Sequence, residues 1–389
     1  MITRITAHNF KCFKDLDVEI RPLTLMCGLN GSGKSSAIQI VTCLTECVKK
    51  EKDGASVVDL STPGSNLGPL SEIFYRFDNA EDDKIRMSVQ VETHDNGGEL
   101  RTMSTGIDFT YTADSGGTDK LLIKSHDSSS HGNIDTIINV KRLSSVRVAP
   151  KSLHDYSETA VRNCDIGLNG EHAVSYLLAH GEDVVANELS LRGNSDEVVP
   201  SRLSEQVDSW IKIISPDVAV KVYRSSEIGK VQLAFEYRQN GRRFPFRPEN
   251  VGAGLSIVLP VLIMALTAKK GDCLIIENPE SDLHPKGQVE IAMLLSRLIN
   301  LGVQVIMETH SDHIINGIRL AIKTGLIDSS HVKVLFFERS TSANVSPIEI
   351  DEDGGLSHYP LGFLDTWGDL IDRIMEENEA SSNDDYGEV

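Results

Sequence analysis

The chain has 389 residues, of which 40% are hydrophobic and 24% charged, enough to bury a sizeable core across two domains or one large domain with an insertion. Its 38 basic residues against 57 acids leave a formal charge of −19, a mean field that repels phosphate and excludes a general coater of nucleic acid or anionic membrane. Any DNA contact must come from a local basic patch. No stretch reaches the roughly 20 apolar residues that span a bilayer; Leu255 to Leu266 is interrupted by Pro260 and reads as a buried helix. The polar N-terminus is unlike a signal peptide, and six cysteines without a C-x-x-C pair read as reduced thiols, so the expected compartment is the cytoplasm.

In chain order, Leu16, Val18 and Ile20, then Leu23 and Leu25, alternate with period two, predicting a strand pair broken at Arg21–Pro22. The second strand runs into a glycine-rich turn, 28–33, and a helical pattern from Ser35 to about Val48. Residues 84–151 are β-rich, and 170–215 have helical spacing. Two strand-like runs, DVAVKVYRS and KVQLAFEYRQ, bring the chain to Gly241. Helices at 255–267, 287–300 and 312–323 then alternate with apolar strands at 273–276, 303–307 and 332–337, predicting a largely parallel sheet covered on both faces. The expected division is 1–150, an insertion at 151–240, a second lobe at 241–338, a small module at 339–375 and a disordered acidic tail at 376–389.

GLNGSGKS, Gly28 to Ser35, fits G-x-x-x-x-G-K-[ST], right after a strand and opening a helix. The glycines let successive N–H groups curl around a β-phosphate, so Asn30, Gly31, Ser32, Gly33, Lys34, Ser35 and Ser36 are the nucleotide-binding candidates. Lys34 places a point charge on the β- and γ-phosphates, the Ser35 hydroxyl is a ligand for Mg²⁺, and the helix presents its positive end to the anion. The expected cofactors are therefore ATP and Mg²⁺.

The strand at 273–276 closes on Glu277-Asn278-Pro279-Glu280, where Glu277 is placed to hold the hydrated metal with Ser35. One strand later QVIMETH ends on Glu308-Thr309-His310, and His310 is the candidate donor to the γ-phosphate. Between the two regions NVGAGLSIVLP sets Gly252, Gly254 and Ser256 at the start of an apolar helix; it reads as well as a turn before a core helix as it does a second phosphate grip.

Together these segments resemble the ABC-type ATPases of the SMC-like and OLD (overcoming lysogenization defect) group. NFKCFKDLDVEIRPLTLMCGLNGSGKSS looks like their opening, and IIENPESDLHP and METHSDHIINGIR look like their Walker B/D-loop and switch-histidine segments. DEDGGLSHYPLGFLDTWGDLIDRI resembles a C-terminal module of uncharacterised function carried by some bacterial ATPases of this kind, in which IGLNGEH (Ile166–His172) also has a counterpart. The resemblance implies an α/β P-loop NTPase of ABC-ATPase type, a mixed sheet with a β-rich N-terminal lobe and a helical insertion. It also implies a cycle in which two heads close over two ATP molecules. Lys34, Ser35 and Glu277 of one head would meet Gly252, Gly254 and Ser256 of the other, acting in trans like the ABC signature, with Asp282 of the D-loop at the seam.

One departure stands out. Where transporter-type heads carry a catalytic glutamate before proline, this chain has Asn278, with Glu280 two residues on. The catalytic candidates are thus Glu280, Asn278 and His310, and the expected turnover is slow. The glutamine that usually links nucleotide to insertion has no match, although LGPLSEIFYR (Leu67–Arg76) occupies a plausible place for a lid contact.

Without heptads the insertion is expected to be a compact lid. Arg238, Arg242, Arg243 and Arg247 form one basic cluster and Lys141, Arg142, Arg147 and Lys151 another, each a candidate contact for phosphates of DNA or ATP. The 79 residues after His310 are too few for the fused nuclease of many OLD proteins, so a nuclease or toxin would be a separately encoded effector. The implied role is an ATP-driven homodimeric or higher homo-oligomeric sensor and scaffold in bacterial antiphage defence. The alternatives are a DNA-repair ATPase that binds DNA directly and a nucleotide-binding structural module with little hydrolysis.

Overall fold

A computed structural model describes residues 1–52, 57–59, 67, 72–75, 84–94, 100–110, 120–127, 139–191, 201–225, 229–338, 344–364 and 370. Strands β1 (Ile2–Phe10) and β2 (Phe13–Glu19) form an antiparallel hairpin. β3 (Leu23–Gly28) follows and leads into α1 (Lys34–Lys52). The break at Arg21–Pro22 separates more than two strands. β2 stays in an antiparallel sheet ordered β2-β1-β5-β6-β7-β4, with β4 (Val57–Asp59), β5 (Lys84–His94), β6 (Leu100–Thr110) and β7 (Lys120–Asp127). β3 enters a different sheet at its centre.

That second sheet carries the predicted α/β alternation. It recruits β8 (Asn139–Leu143) from the N-terminal part and β13 (Asp272–Glu277), β14 (Gln304–Glu308), β15 (Val332–Glu338) and β16 (Asn344–Ile348) from the C-terminal part. The order is β16-β15-β3-β14-β13-β8, parallel throughout except for the edge strand β16. Alternate residues face opposite ways, as pleating requires. Leu274, Ile276, Val305 and Met307 enter one core, packed against the C-terminal helices. Cys273, Ile275 and Ile306 enter the other, shared with Ile38, Val41 and Leu44 of α1 and with the antiparallel sheet.

The insertion contains β9 (Leu153–Asp155), α2 (Glu158–Arg162), α3 (Ala173–His180), α4 (Leu203–Ile214), β10 (Val218–Ser225) and β11 (Lys230–Gln239). Its expected end at 240 falls inside a hairpin, because β11 pairs with β12 (Arg242–Phe246) through Gln239↔Arg242. Nor does it stand off as a separate lid. Trp210, Val207, Leu177 and Phe235 share one core with α5 (Ala253–Leu266), α6 (Pro285–Asn300) and α7 (Asp312–Lys323). Within α5, Pro260 removes the donor that would reach the Ser256 carbonyl, a local defect inside an otherwise buried helix. Gly170 of the IGLNGEH segment packs on that proline: a Cβ there would lie 2.5 Å from Pro260 Cγ, and Gly170 has φ +73°. The acidic tail at 376–389 lies outside the described residues. No helix among those described is long and apolar enough to cross a membrane.

Candidate functional site

The C-terminal tips of β3, β14, β13 and β8 meet where α1 begins, the place where parallel α/β sheets bind ligands. Gly28 turns the chain out of β3 with φ +131°, and a Cβ there would sit 2.2 Å from the Phe337 carbonyl oxygen, so only glycine fits between the strand and its neighbour. Gly31 and Gly33 are also left-handed, at φ +74° and +109°. Leu29, Asn30 and Gly31 are exposed at the crown of the loop, while Ser32 and Lys34 are buried beneath it. Helix α1 starts at Lys34, so the N–H groups of its first turn have no acceptor within the helix and face an incoming anion. Lys34 Nζ donates to the Gly28 and Leu29 carbonyls, both at 2.9 Å, and lies 3.9 Å from the Glu308 carboxylate. Burial lowers its pKa, with Glu308 opposing.

Asn278 and Glu280 lie on the turn after β13. Asn278 is held at φ +45° and Asp282 at +57°, two strained non-glycine residues in one short segment. The Asn278 N–H donates to the Glu308 carbonyl at 2.8 Å. Glu280 Oε1 accepts from the His310 backbone N–H at 2.9 Å, which ties the two strand tips together. Burial raises the Glu280 pKa; the His310 N–H and the Thr309 hydroxyl pull the other way. The His310 imidazole is lowered by desolvation and, less, by Lys34, so it is neutral at pH 7 and keeps one ring N–H to donate.

Three polar atoms around this floor are buried with no hydrogen-bond partner among the described residues: Ser32 Oγ, Asn278 Oδ1 and Glu280 Oε2. Leaving such groups unmet costs about 1–3 kcal/mol each. A hydrated nucleotide–metal complex supplies what they lack, donors for the oxygens and an acceptor for the hydroxyl. The residues present therefore fit ATP with Mg²⁺.

Two expectations meet a local geometry that the sequence did not indicate. Ser35 Oγ donates to Glu308, 3.0 Å from Oε2 and 3.3 Å from Oε1. Glu277 instead accepts from Arg142 Nε at 2.8 Å and from the Ser145 N–H at 3.2 Å. The signature-like segment also divides. Gly252 is exposed as the N-cap of α5, with nothing within 4 Å of a Cβ placed there. Gly254 is packed inside its own chain, where a Cβ would meet the Asp282 carbonyl at 2.3 Å. Ser256 Oγ is buried without a partner, facing a small cavity that Gly170, His154 and Leu259 also line. Depth along the helix separates them: Gly252 caps α5 and Ser256 lies one turn further in on nearly the same face.

The basic cluster at Lys141–Lys151 is largely spoken for. Lys141 pairs with Asp272 at 2.8 Å and Arg142 with Glu277 at 2.7 Å. Arg147 donates to the Asn278 and Glu277 carbonyls at 2.9 and 2.5 Å, and burial lowers its pKa to about 10. The turn after β8 is clamped by IGLNGEH, whose Leu168 and Asn169 carbonyls accept the Ser144 and Val148 N–H groups. Those segments brace the tip of β13; of Leu67–Arg76, the described Ile73, Phe74 and Tyr75 pair with the end of β1.

A family model described as "AAA domain, putative AbiEii toxin, Type IV TA system" matches residues 23–316, and "Protein of unknown function (DUF3696)" matches residues 327–374. The OLD nuclease of Thermus scotoductus is 23% identical over 342 residues, 80% of this chain and 59% of that protein, so the chain spans well under two thirds of its curated relative. Among solved structures, an Smc head bound to the C-winged helix domain of ScpA is similar with a TM-score of 0.56 at 13% identity, covering 90% of this chain and 98% of that one. An Smc head with an extended coiled coil, bound to the C-terminal domain of ScpA derived from Pyrococcus furiosus, gives 0.53 at 10% identity, covering 90% and 96%.

Proposed function

We propose, from the premise that this chain belongs to the AAA-domain family matched over residues 23–316 and is an ATPase of the SMC-like and OLD type, that two copies close over two molecules of Mg-ATP and that a separate effector reads the closed state. The observation that carries the nucleotide site is the floor of unmet buried groups, Ser32 Oγ, Asn278 Oδ1 and Glu280 Oε2, beneath the glycine loop that opens α1. Lys34 exchanges its two loop carbonyls for β- and γ-phosphate oxygens. His310 donates to the γ-phosphate. Glu280, with one oxygen anchored and one unmet, takes the proton of the attacking water while Asn278 orients that water. Ser35 and the strand-tip carboxylates beside it would hold Mg²⁺, which would supply neutralisation of phosphate charge. The amide in place of a carboxylate at Asn278 favours slow turnover.

Closure in trans is supported by Gly252, an exposed N-cap at the positive end of an apolar helix that rests on the D-loop through Gly254. Light scattering tests it. The Glu280→Gln chain with Mg-ATP should double in mass, and the same chain with ADP should not; an unchanged mass with ATP sinks the closure reading. The role we favour is that of a cytoplasmic sensor and scaffold in antiphage defence, holding a nuclease or toxin until ATP is hydrolysed. The likeness to an OLD nuclease and the family's toxin–antitoxin description support it.

Direct DNA binding is a second reading, and one observation favours it. Arg238, Arg242, Arg243 and Arg247 are all exposed along β11, β12 and the residue after them, with exposed Phe244 and Phe246 between. Among the described residues Arg243 pairs with Glu236 at 3.6 Å, and the Glu249 carboxyl, lowered first by the Ser152 hydroxyl, also feels Arg247. Substituting Arg242, Arg243 and Arg247 by alanine should flatten the salt dependence of duplex binding by about one logarithmic unit per arginine. A wild-type chain that binds no duplex at low salt removes this reading.

A further inference from the structure

We infer that Arg147 is a positioning residue for hydrolysis: its guanidinium grips the backbone on both sides of the strained Asn278 and so fixes where Asn278 and Glu280 point. The inference deepens the hydrolytic site proposed above and rests on it.

The ladder between β8 and β13 stops at Leu143↔Ile276, one residue short of Glu277. Past that point a side chain takes the place of the strand. Arg147 Nη2 donates to the Glu277 carbonyl at 2.5 Å and Nη1 to the Asn278 carbonyl at 2.9 Å. Those two carbonyls belong to the peptide planes that meet at the Asn278 Cα, so holding both holds φ and ψ of that residue together. Asn278 needs holding, because its φ of +45° is a left-handed conformation that a residue with a side chain adopts only at a cost. A planar fork spans two acceptors where an ammonium offers a point. Arg147 Nε is buried with no partner among the described residues. Among the acids whose charge acts on Arg147, Glu280 comes first and Glu277 second, so the cation also stands on the side of the base.

What places Arg147 is the insertion. The N–H groups of Ser144 and Val148, on either side of it, donate to the Leu168 and Asn169 carbonyls at 2.8 and 3.0 Å. The Asn169 N–H is itself held by Glu171 Oε2 at 2.8 Å. The next residue, Gly170, packs on Pro260 of α5. A displacement of α5 against the insertion therefore reaches the catalytic turn through one side chain, 130 residues away in sequence from the carbonyls it holds.

The test uses the full chain. Arg147→Lys keeps the charge and loses the fork. It should lower kcat with Mg-ATP by about 10²-fold, the cost of a misplacement near 1 Å, while ADP affinity measured by calorimetry stays at the wild-type value. Arg147→Ala removes the charge beside Glu280 as well and should lose more. Hydrogen exchange followed by mass spectrometry should quicken at the Asn278 and Ser281 amides in both variants and stay unchanged over the phosphate loop. Wild-type kcat in Arg147→Lys, or a fall in ADP affinity as large as the fall in kcat, overturns the assignment. A wild-type chain without ATP turnover is a different failure, that of the hydrolytic reading. Exchange at the Asn278 and Ser281 amides then decides by itself, and full protection of both in Arg147→Lys overturns the clamp.

Discussion

Lys34→Ala should reduce Mg-ATP affinity by two to four orders of magnitude, read by calorimetry at neutral pH. The Lys34 side chain is 3% exposed and its ammonium already makes two 2.9 Å bonds to loop carbonyls, geometry that passes to phosphate oxygens at little cost in order. A hydrogen bond to a charged group is worth about 1.5–3 kcal/mol, so two of them correspond to about 3–6 kcal/mol. The same change leaves the buried Glu308 carboxylate without its nearest cation. The Glu308 pKa is raised by burial and held down by Lys34, so removing Lys34 raises it further. An acid whose folded pKa lies above its unfolded value contributes stability at low pH and loses it as pH rises through the folded pKa. Lys34→Ala should therefore melt closer to wild type at pH 5 than at pH 8. Equal ATP affinity in the two proteins defeats the nucleotide reading outright.

What could be read in advance followed from local chemistry. The phosphate loop is a run of adjacent residues whose glycines and lysine act where they stand, and the strands at 273–276 and 303–307 are apolar because both faces of their sheet are covered. The alternation of QVIME puts Gln304, Ile306 and Glu308 on one face, yet nothing in the sequence singles out Glu308. That face is identified only when β3 is known to lie beside β14. Arg142 and Arg147 were harder, because they act on Glu277 across 130 or more residues and read in sequence as part of a basic cluster. Gly254 shows the same limit. In sequence Gly254 fits a turn before a core helix as well as a phosphate grip, and in the fold the nearest group to a Cβ there is the Asp282 carbonyl of the same chain. The strand pair expected on either side of Arg21–Pro22 parted for a related reason: both halves have strand periodicity, and only the third dimension assigns them to different sheets.

Glu280→Gln should slow ATP hydrolysis by about 10²–10⁴-fold, the usual range for losing a positioned general base, while ATP affinity stays near wild type. Glutamine keeps the shape and the Oε1 that accepts the His310 N–H, so the strand tips remain joined. What changes is the atom now left unmet, Glu280 Oε2, which becomes an amide unable to take a proton. Asn278→Ala should cost less, because an amide there only aligns water. The pH profile gives an independent check. Burial raises the Glu280 pKa, so the acid limb of kcat should be displaced upward from that of an exposed glutamate and vanish in Glu280→Gln. Activity is gained as pH rises through that pKa, since the base works only when ionised. A loss in Asn278→Ala equal to or greater than that in Glu280→Gln, with the acid limb intact in the latter, would move the base away from Glu280 and leave the strained turn at Asn278 as the working element.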